Sequence, residues 1–327
     1  MLQHAALDGS ETNFVEFHLV TIPLEVGKTM KKSLLLALVS LVLCSFTVVV
    51  GQEHTPPKVL QIVREEIKPG MMDDHSRHSA EYASVFGQLQ TPNHRLAMIP
   101  IAGNENEVLY VTGADSFREL EGIIQATDKK MSAPSGSVKA QMARLQKEAP
   151  DLHAGMRDML ALYRPDLSFN PGVPIATMRY FSVTTTRVRP GHDAQYAETF
   201  QKIINPAREK AKVDDLHVAV YQIISGAPAG TYMLFRPMKS IGEFDSGIAA
   251  KVRQTMTEEQ RKDADKSAND AIMSSEVTTY AFMPRMSYVG SEFAAGDPGF
   301  WSPKVEMAAA KPKPKKRAPK PPPPPAQ

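Results

Sequence analysis

Apolar and polar residues alternate over positions 58–68. That sets Val59, Gln61, Val63, Glu65 and Ile67 on one side of a predicted strand and Leu60, Ile62, Arg64 and Glu66 on the other. Pro69-Gly70 ends the run, a residue without an N–H followed by one free to take positive φ. The period then becomes helical, with Tyr82, Val85, Phe86 and Leu89 in one stripe and Asp73 or Asp74 placed to cap the helix start. Positions 95–102 and 107–113 read as strands around Gly103-Asn104-Glu105-Asn106. Phe117, Leu120, Ile123 and Ile124 mark a second helix capped by Asp115 or Ser116, 138–148 a further helix and 156–163 a closing strand.

The same order returns 121 positions later, where Val188-Arg189-Pro190-Gly191 matches Ile67-Lys68-Pro69-Gly70. Positions 178–189 predict a strand, followed by a helix striped by Tyr196, Phe200, Ile203 and Ile204. A hairpin of 216–225 and 231–237 comes next, then a helix carrying Ile241, Phe244 and Ile248, a polar helix over 257–273 and a strand over 276–283. Each half, 58–166 and 178–288, is thus a β-α-β-β-α-β unit, with an antiparallel sheet covered by helices on one face. The bare face of one sheet needs a cover, and the other half supplies it.

The strand ends Ile67-Lys68-Pro69-Gly70 and Val188-Arg189-Pro190-Gly191, each followed by a helix with aromatic positions, resemble the dimeric α+β barrel superfamily over about 58–288. That superfamily includes antibiotic-biosynthesis-type monooxygenases and the EthD-like and NIPSNAP-like proteins. The resemblance implies two ferredoxin-like halves packed sheet to sheet as an intramolecular pseudo-dimeric α+β barrel. The chain is also similar to a group of exported bacterial proteins with two such halves and a lysine-proline tail, which adds no chemistry.

Composition sets the compartment. Met30-Lys31-Lys32 precedes an apolar run over 33–50, the order of a secretory signal over 30–51, with Gln52 as the first mature residue. Residues 1–29 show no motif and read as an upstream extension or mis-assigned start. An uncleaved anchor is a weaker fit to that pattern, and so is a lipoprotein at Cys44, because Leu43 is bulky where a lipobox wants a small residue. Cys44 is the one cysteine, so the mature chain has no internal disulfide and no thiolate chemistry. Residues 289–327 decay into an irregular segment with Trp301 and then an Ala/Lys/Pro tail that has nothing apolar to bury. The tail's charge suits weak contact with anionic envelope polymers or lipid. It also accounts for the formal net charge of +2, leaving the body weakly acidic and without a nucleic-acid footprint.

Candidate chemistry is thin. His217 shares a strand face with Ala219, Tyr221 and Ile223. A lumenal His217 would sit with Tyr221 and with Tyr232 or Arg236 of the next strand, and His94 occupies the matching place in the first half. Such a set suits an acidic or phenolic ligand, with imidazole available for proton transfer; the plain alternative is a hydrogen-bonded histidine at a strand end. His75 and His78 share a helix face, but no third ligand stands at motif spacing and 73–81 reads as a solvated face, so no metal is expected. No phosphate loop, dinucleotide fingerprint or nucleophile elbow is present and no cofactor is expected.

The expected function is an exported envelope protein holding a small apolar or aromatic molecule in a barrel cavity. The resemblance implies a rival: a cofactor-independent monooxygenase or isomerase in which His217, Tyr221 or Tyr232 moves protons. A structural envelope protein is the third reading.

Overall fold

A computed structural model describes residues 54–302; the signal-like segment and the Lys/Pro tail beyond 302 lie outside the described residues. The first half runs β1 (Val59–Ile67), α1 (Met72–Leu89), β2 (Leu96–Ala102), β3 (Glu107–Ala114), α2 (Phe117–Ser132), α3 (Gly136–Leu152) and β4 (His153–Tyr163). The second opens with β5 (Tyr180–Val188), α4 (Asp193–Thr199), a π-helical turn at Phe200–Ile204 and α5 (Asn205–Lys210). It continues with β6 (Ala219–Ser225), β7 (Thr231–Met238), a 3-10 turn at Ile241–Ser246, α6 (Ile248–Thr255), α7 (Glu258–Ala271) and β8 (Ile272–Phe282).

The strands close into a barrel in the order β1-β3-β2-β8-β5-β7-β6-β4, each pair antiparallel. Each half contributes a four-stranded ferredoxin-like sheet, β4-β1-β3-β2 and β8-β5-β7-β6. The halves cover each other's bare faces as expected, and their edges also pair: β2 meets β8 with Met98 opposite Phe282, and β4 meets β6 with Tyr163 opposite Tyr221. Edge pairing leaves no row of free N–H and C=O groups. No helix among the described residues is long and apolar enough to cross a membrane.

Alternation decides what fills the barrel. Leu60 and Ile62 of β1, Leu109 and Val111 of β3, Phe181 and Val183 of β5, Met233 and Phe235 of β7, and Tyr280 and Phe282 of β8 share one apolar core. The chain after β8 folds back in two short helices, α8 (Ser291–Ala295) and α9 (Pro298–Trp301). Trp301 joins this core, and its indole N–H donates to the Ala176 carbonyl at 2.7 Å. Further along the interior, Glu107 is buried and accepts from Arg64 Nε at 2.6 Å and from the Tyr280 hydroxyl. Bulky side chains on five strands thus line the barrel interior, and the two cavities described below lie outside it, on the helix-covered faces of the sheet.

Two local expectations fail for backbone reasons. Neither Asp73 nor Asp74 caps α1: its N-cap is Met71, and both carboxylates fall inside the first turn, where Asp74 pairs with Arg77. Ser116 does cap α2, accepting the Glu119 amide. The helix predicted across Ile241, Phe244 and Ile248 breaks at Gly247, whose φ of 63° is left-handed, into the 3-10 turn and α6.

Candidate functional site

The outer face of β1, beneath α1, carries a cluster of ionisable side chains. Glu65 follows Val63 and precedes Ile67 on the helix-covered side, and it is only 8 % exposed. His75, one turn into α1, is fully buried and its Nε2 lies 2.7 Å from Glu65 Oε2. His153, where α3 hands over to β4, brings its Nε2 to 3.3 Å from the same oxygen and its Nδ1 to 2.8 Å from the Ala149 carbonyl. Arg95, just before β2, reaches Glu65 Oε1 at 3.4 Å and lays its guanidinium over the Tyr110 ring at 3.5 Å. The Tyr110 hydroxyl meets Ser79 Oγ at 2.7 Å.

These groups line a cavity of about 410 Å³ between the first sheet and its helices, together with Gln61, Tyr82, Asn93 and Thr127. His75 Nδ1, Asn93 Oδ1 and Thr127 Oγ1 are buried without a hydrogen-bond partner. Burial by itself pushes the Glu65 carboxyl up; the bonds from His153 and His75 and the charge of Arg95 outweigh it and hold Glu65 down at about 2. The Glu65 bond in turn raises His153 against its partial burial. Burial, with Glu65 adding to it, raises the Tyr110 phenol.

The second half provides an internal comparison, because the two Pro-Gly turns and the strand registers correspond. Glu65 lies opposite Val108 as Thr186 lies opposite Tyr232, and Ile67 lies opposite His153 as Val188 lies opposite Ile272. The His75 amide bonds to the N-cap residue Met71 as the Tyr196 amide bonds to His192. By the same registers Arg95 corresponds to Val218 and Tyr110 to Leu234. Thus Glu65, His75, Arg95, Tyr110 and His153 are matched by Thr186, Tyr196, Val218, Leu234 and Ile272. Tyr196, Val218, Leu234 and Ile272 belong to one apolar cluster. At these five positions the second half has uncharged side chains and the first has ionisable groups.

The residues expected from sequence do not converge. Tyr221 lies opposite Met233 and faces the barrel interior, where its hydroxyl donates to the Pro57 carbonyl at 2.9 Å. Tyr232 lies opposite Gln222 and faces outward against Tyr196, its hydroxyl donating to Asp193 at 2.9 Å. Strand alternation separates the two tyrosines by the thickness of the sheet. Arg236 also faces outward, 3.7 Å from Glu243, with its Nε unpaired. It lines a second cavity of about 870 Å³ with Arg208, Phe244 and Val252. His217 precedes β6 and donates Nδ1–H to the Asn170 carbonyl at 2.6 Å. His94 accepts the Gly290 amide at 3.3 Å beside Phe293, and burial pushes it down to about 4. His75 and His78 are not on a solvated face: both are buried, and His78 Nε2 lies 2.9 Å from the Leu145 carbonyl.

No family model matches the chain, and no curated protein matches it. Among solved structures it is similar to a protein provisionally assigned as a monooxygenase from Lactobacillus acidophilus NCFM, at 9 % identity and TM-score 0.41, covering 70 % of this chain and 94 % of that one. It is also similar to chlorite dismutase from Candidatus Nitrospira defluvii in complex with imidazole, at 10 % identity and TM-score 0.43, covering 71 % and 93 %. At such identities and superpositions nothing about activity transfers.

Proposed function

We propose that the helix-covered cavity of the first half is an enzyme-type site for a small organic anion, one bearing a carboxylate, phenolate or enolate oxygen. The observation that carries this reading is the internal one: five positions that the second half fills with two hydroxyl-bearing and three aliphatic side chains carry a carboxylate, two imidazoles, a guanidinium and a phenol here, around one cavity. Buried charges lower stability unless each is paired, and strongly perturbed titratable groups in a cavity cluster at functional sites. Arg95 is the anion-recognising group. It holds Glu65 with one terminal nitrogen, and none of its other side-chain N–H groups has a protein acceptor among the described residues.

Isomerisation or oxygenation of such a substrate is the rival reading from sequence, moved from the barrel interior to this cavity and from His217, Tyr221 and Tyr232 to the Glu65 group. Export to the cell envelope, with the basic tail touching anionic polymers or lipid, belongs to the same proposal and rests on the signal-like segment and tail composition. The binding-module reading also fits the second cavity. There Arg208, pushed down to about 10 by burial, and Arg236 adjoin apolar walls that suit an aromatic acid.

Ligand-observed NMR of the metal-stripped full chain with a panel of small aromatic and aliphatic carboxylates and phenols tests the reading. Binders are expected that lose at least tenfold in affinity on Arg95→Val and little on Arg236→Leu, since a charge-assisted pair is worth about 1.5–3 kcal/mol. Binders sensitive only to Arg236→Leu, or no binders at all, would overturn it.

A further inference from the structure

We infer that Glu65, His75 and His153 bind a divalent transition-metal ion, an inference that deepens the proposed function by naming the cofactor class of the same cavity. Glu65 Oε2, His75 Nε2 and His153 Nε2 converge, with all the candidate ligand atoms within 4.8 Å of one another. The two carboxylate–imidazole separations are 2.7 and 3.3 Å. Adjacent ligands held about 2.1 Å from one metal ion lie about 3.0 Å apart in octahedral geometry and about 3.4 Å apart in tetrahedral geometry. The 3.3 Å separation falls between these values and the 2.7 Å one about 0.3 Å below the octahedral value, so an ion enters with small side-chain adjustment.

Each ligand comes from a different element: the end of β1, the first turns of α1, and the junction of α3 with β4. That separation is why no motif spacing shows them. The surrounding contacts suit ligation. His153 turns Nδ1 to the Ala149 carbonyl at 2.8 Å, which fixes the ring and leaves Nε2 for the ion. Arg95 occupies Glu65 Oε1 and so leaves Oε2 to coordinate alone. Two imidazoles and one carboxylate are a donor set of mixed nitrogen and oxygen, suited to zinc or iron rather than to calcium or magnesium. Three protein ligands leave further positions open, and the cavity is where they open.

The second half lacks the set: its equivalents Thr186, Tyr196 and Ile272 offer no imidazole or carboxylate. One ion at this site and none at its counterpart in the second half is therefore the expected stoichiometry. Bound there, the ion supplies a Lewis acid beside Arg95 for an anionic oxygen lying in the cavity.

The test uses the full chain stripped with chelator and titrated at neutral pH with Zn²⁺ or Co²⁺ alone, followed by calorimetry and by visible absorption of Co²⁺. The expected result is saturable one-to-one binding. It should weaken tenfold or more in Glu65→Gln and in His153→Gln and stay unchanged in His94→Gln, with circular dichroism confirming that every variant is folded. His153→Gln is the decisive variant, because its side chain is partly exposed and a glutamine there retains polar contact. No saturable binding by the parent, or equal binding by folded His153→Gln, overturns the inference. Failure here with small-acid binding intact in the stripped protein leaves the proposed function standing. One-to-one metal binding with no acid binding does the reverse.

Discussion

At the scale of single residues the molecule separates histidines by what faces them. His94 and His217 occupy equivalent positions before β2 and β6, yet neither meets a carboxylate: His94 packs on Phe293 and His217 bonds a carbonyl. His94 makes a clean pH probe. Its folded value is depressed from 6.5 to about 4 by burial, so the unfolded chain binds more protons between those values. The stability it contributes is complete above pH 6.5 and is lost as pH falls towards 4, by up to about 3 kcal/mol. Urea unfolding from pH 7 to 4 should therefore show a shallower acid limb in His94→Phe than in the parent, and identical limbs would contradict this assignment.

Between elements, the seam where β4 of the first half pairs with β6 of the second depends on a close approach. Gly226 follows β6 with φ of +85°, and a Cβ there would stand 1.9 Å from the Asp158 carbonyl oxygen of β4. The backbone must move to admit even a methyl group. Gly226→Ala should lower the unfolding free energy by about 2–4 kcal/mol through this clash and the left-handed backbone. Unchanged denaturant midpoints would show that the seam gives way freely.

Strands were legible because a period of two is unambiguous: Val59, Val63 and Ile67 fall on one side of β1 and Leu60 and Ile62 on the other, as alternation requires. The break at Gly247 was not, because Ile241, Phe244 and Ile248 keep helical spacing across it. Nor was the Glu65 group. Positions 65, 75, 95, 110 and 153 meet only through sheet register and helix packing, which spacing does not encode. One signal was available. Setting the two Pro-Gly turns in register places Glu65 against Thr186 and His75 against Tyr196, polar against uncharged at positions on covered faces.

At the scale of the whole molecule, two halves of one plan have taken different interiors. The barrel core is common to both, and each half keeps its own layer between sheet and helices. The second half packs an apolar cluster around Tyr196 and Tyr232, beside its own cavity. The first holds Glu65, two imidazoles and a guanidinium there. On the proposed function this group serves chemistry and is dispensable to the fold. Urea unfolding tests it most directly, on the parent, on Glu65→Thr alone, and on the chain carrying Glu65→Thr, His75→Tyr, Arg95→Val, Tyr110→Leu and His153→Ile together. Removing Glu65 alone strands the buried imidazoles and guanidinium and should cost about 3–5 kcal/mol, while replacing the whole group with the second half's residues should restore most of that loss. A fivefold variant at least as unstable as Glu65→Thr would show that the first half needs these groups to fold.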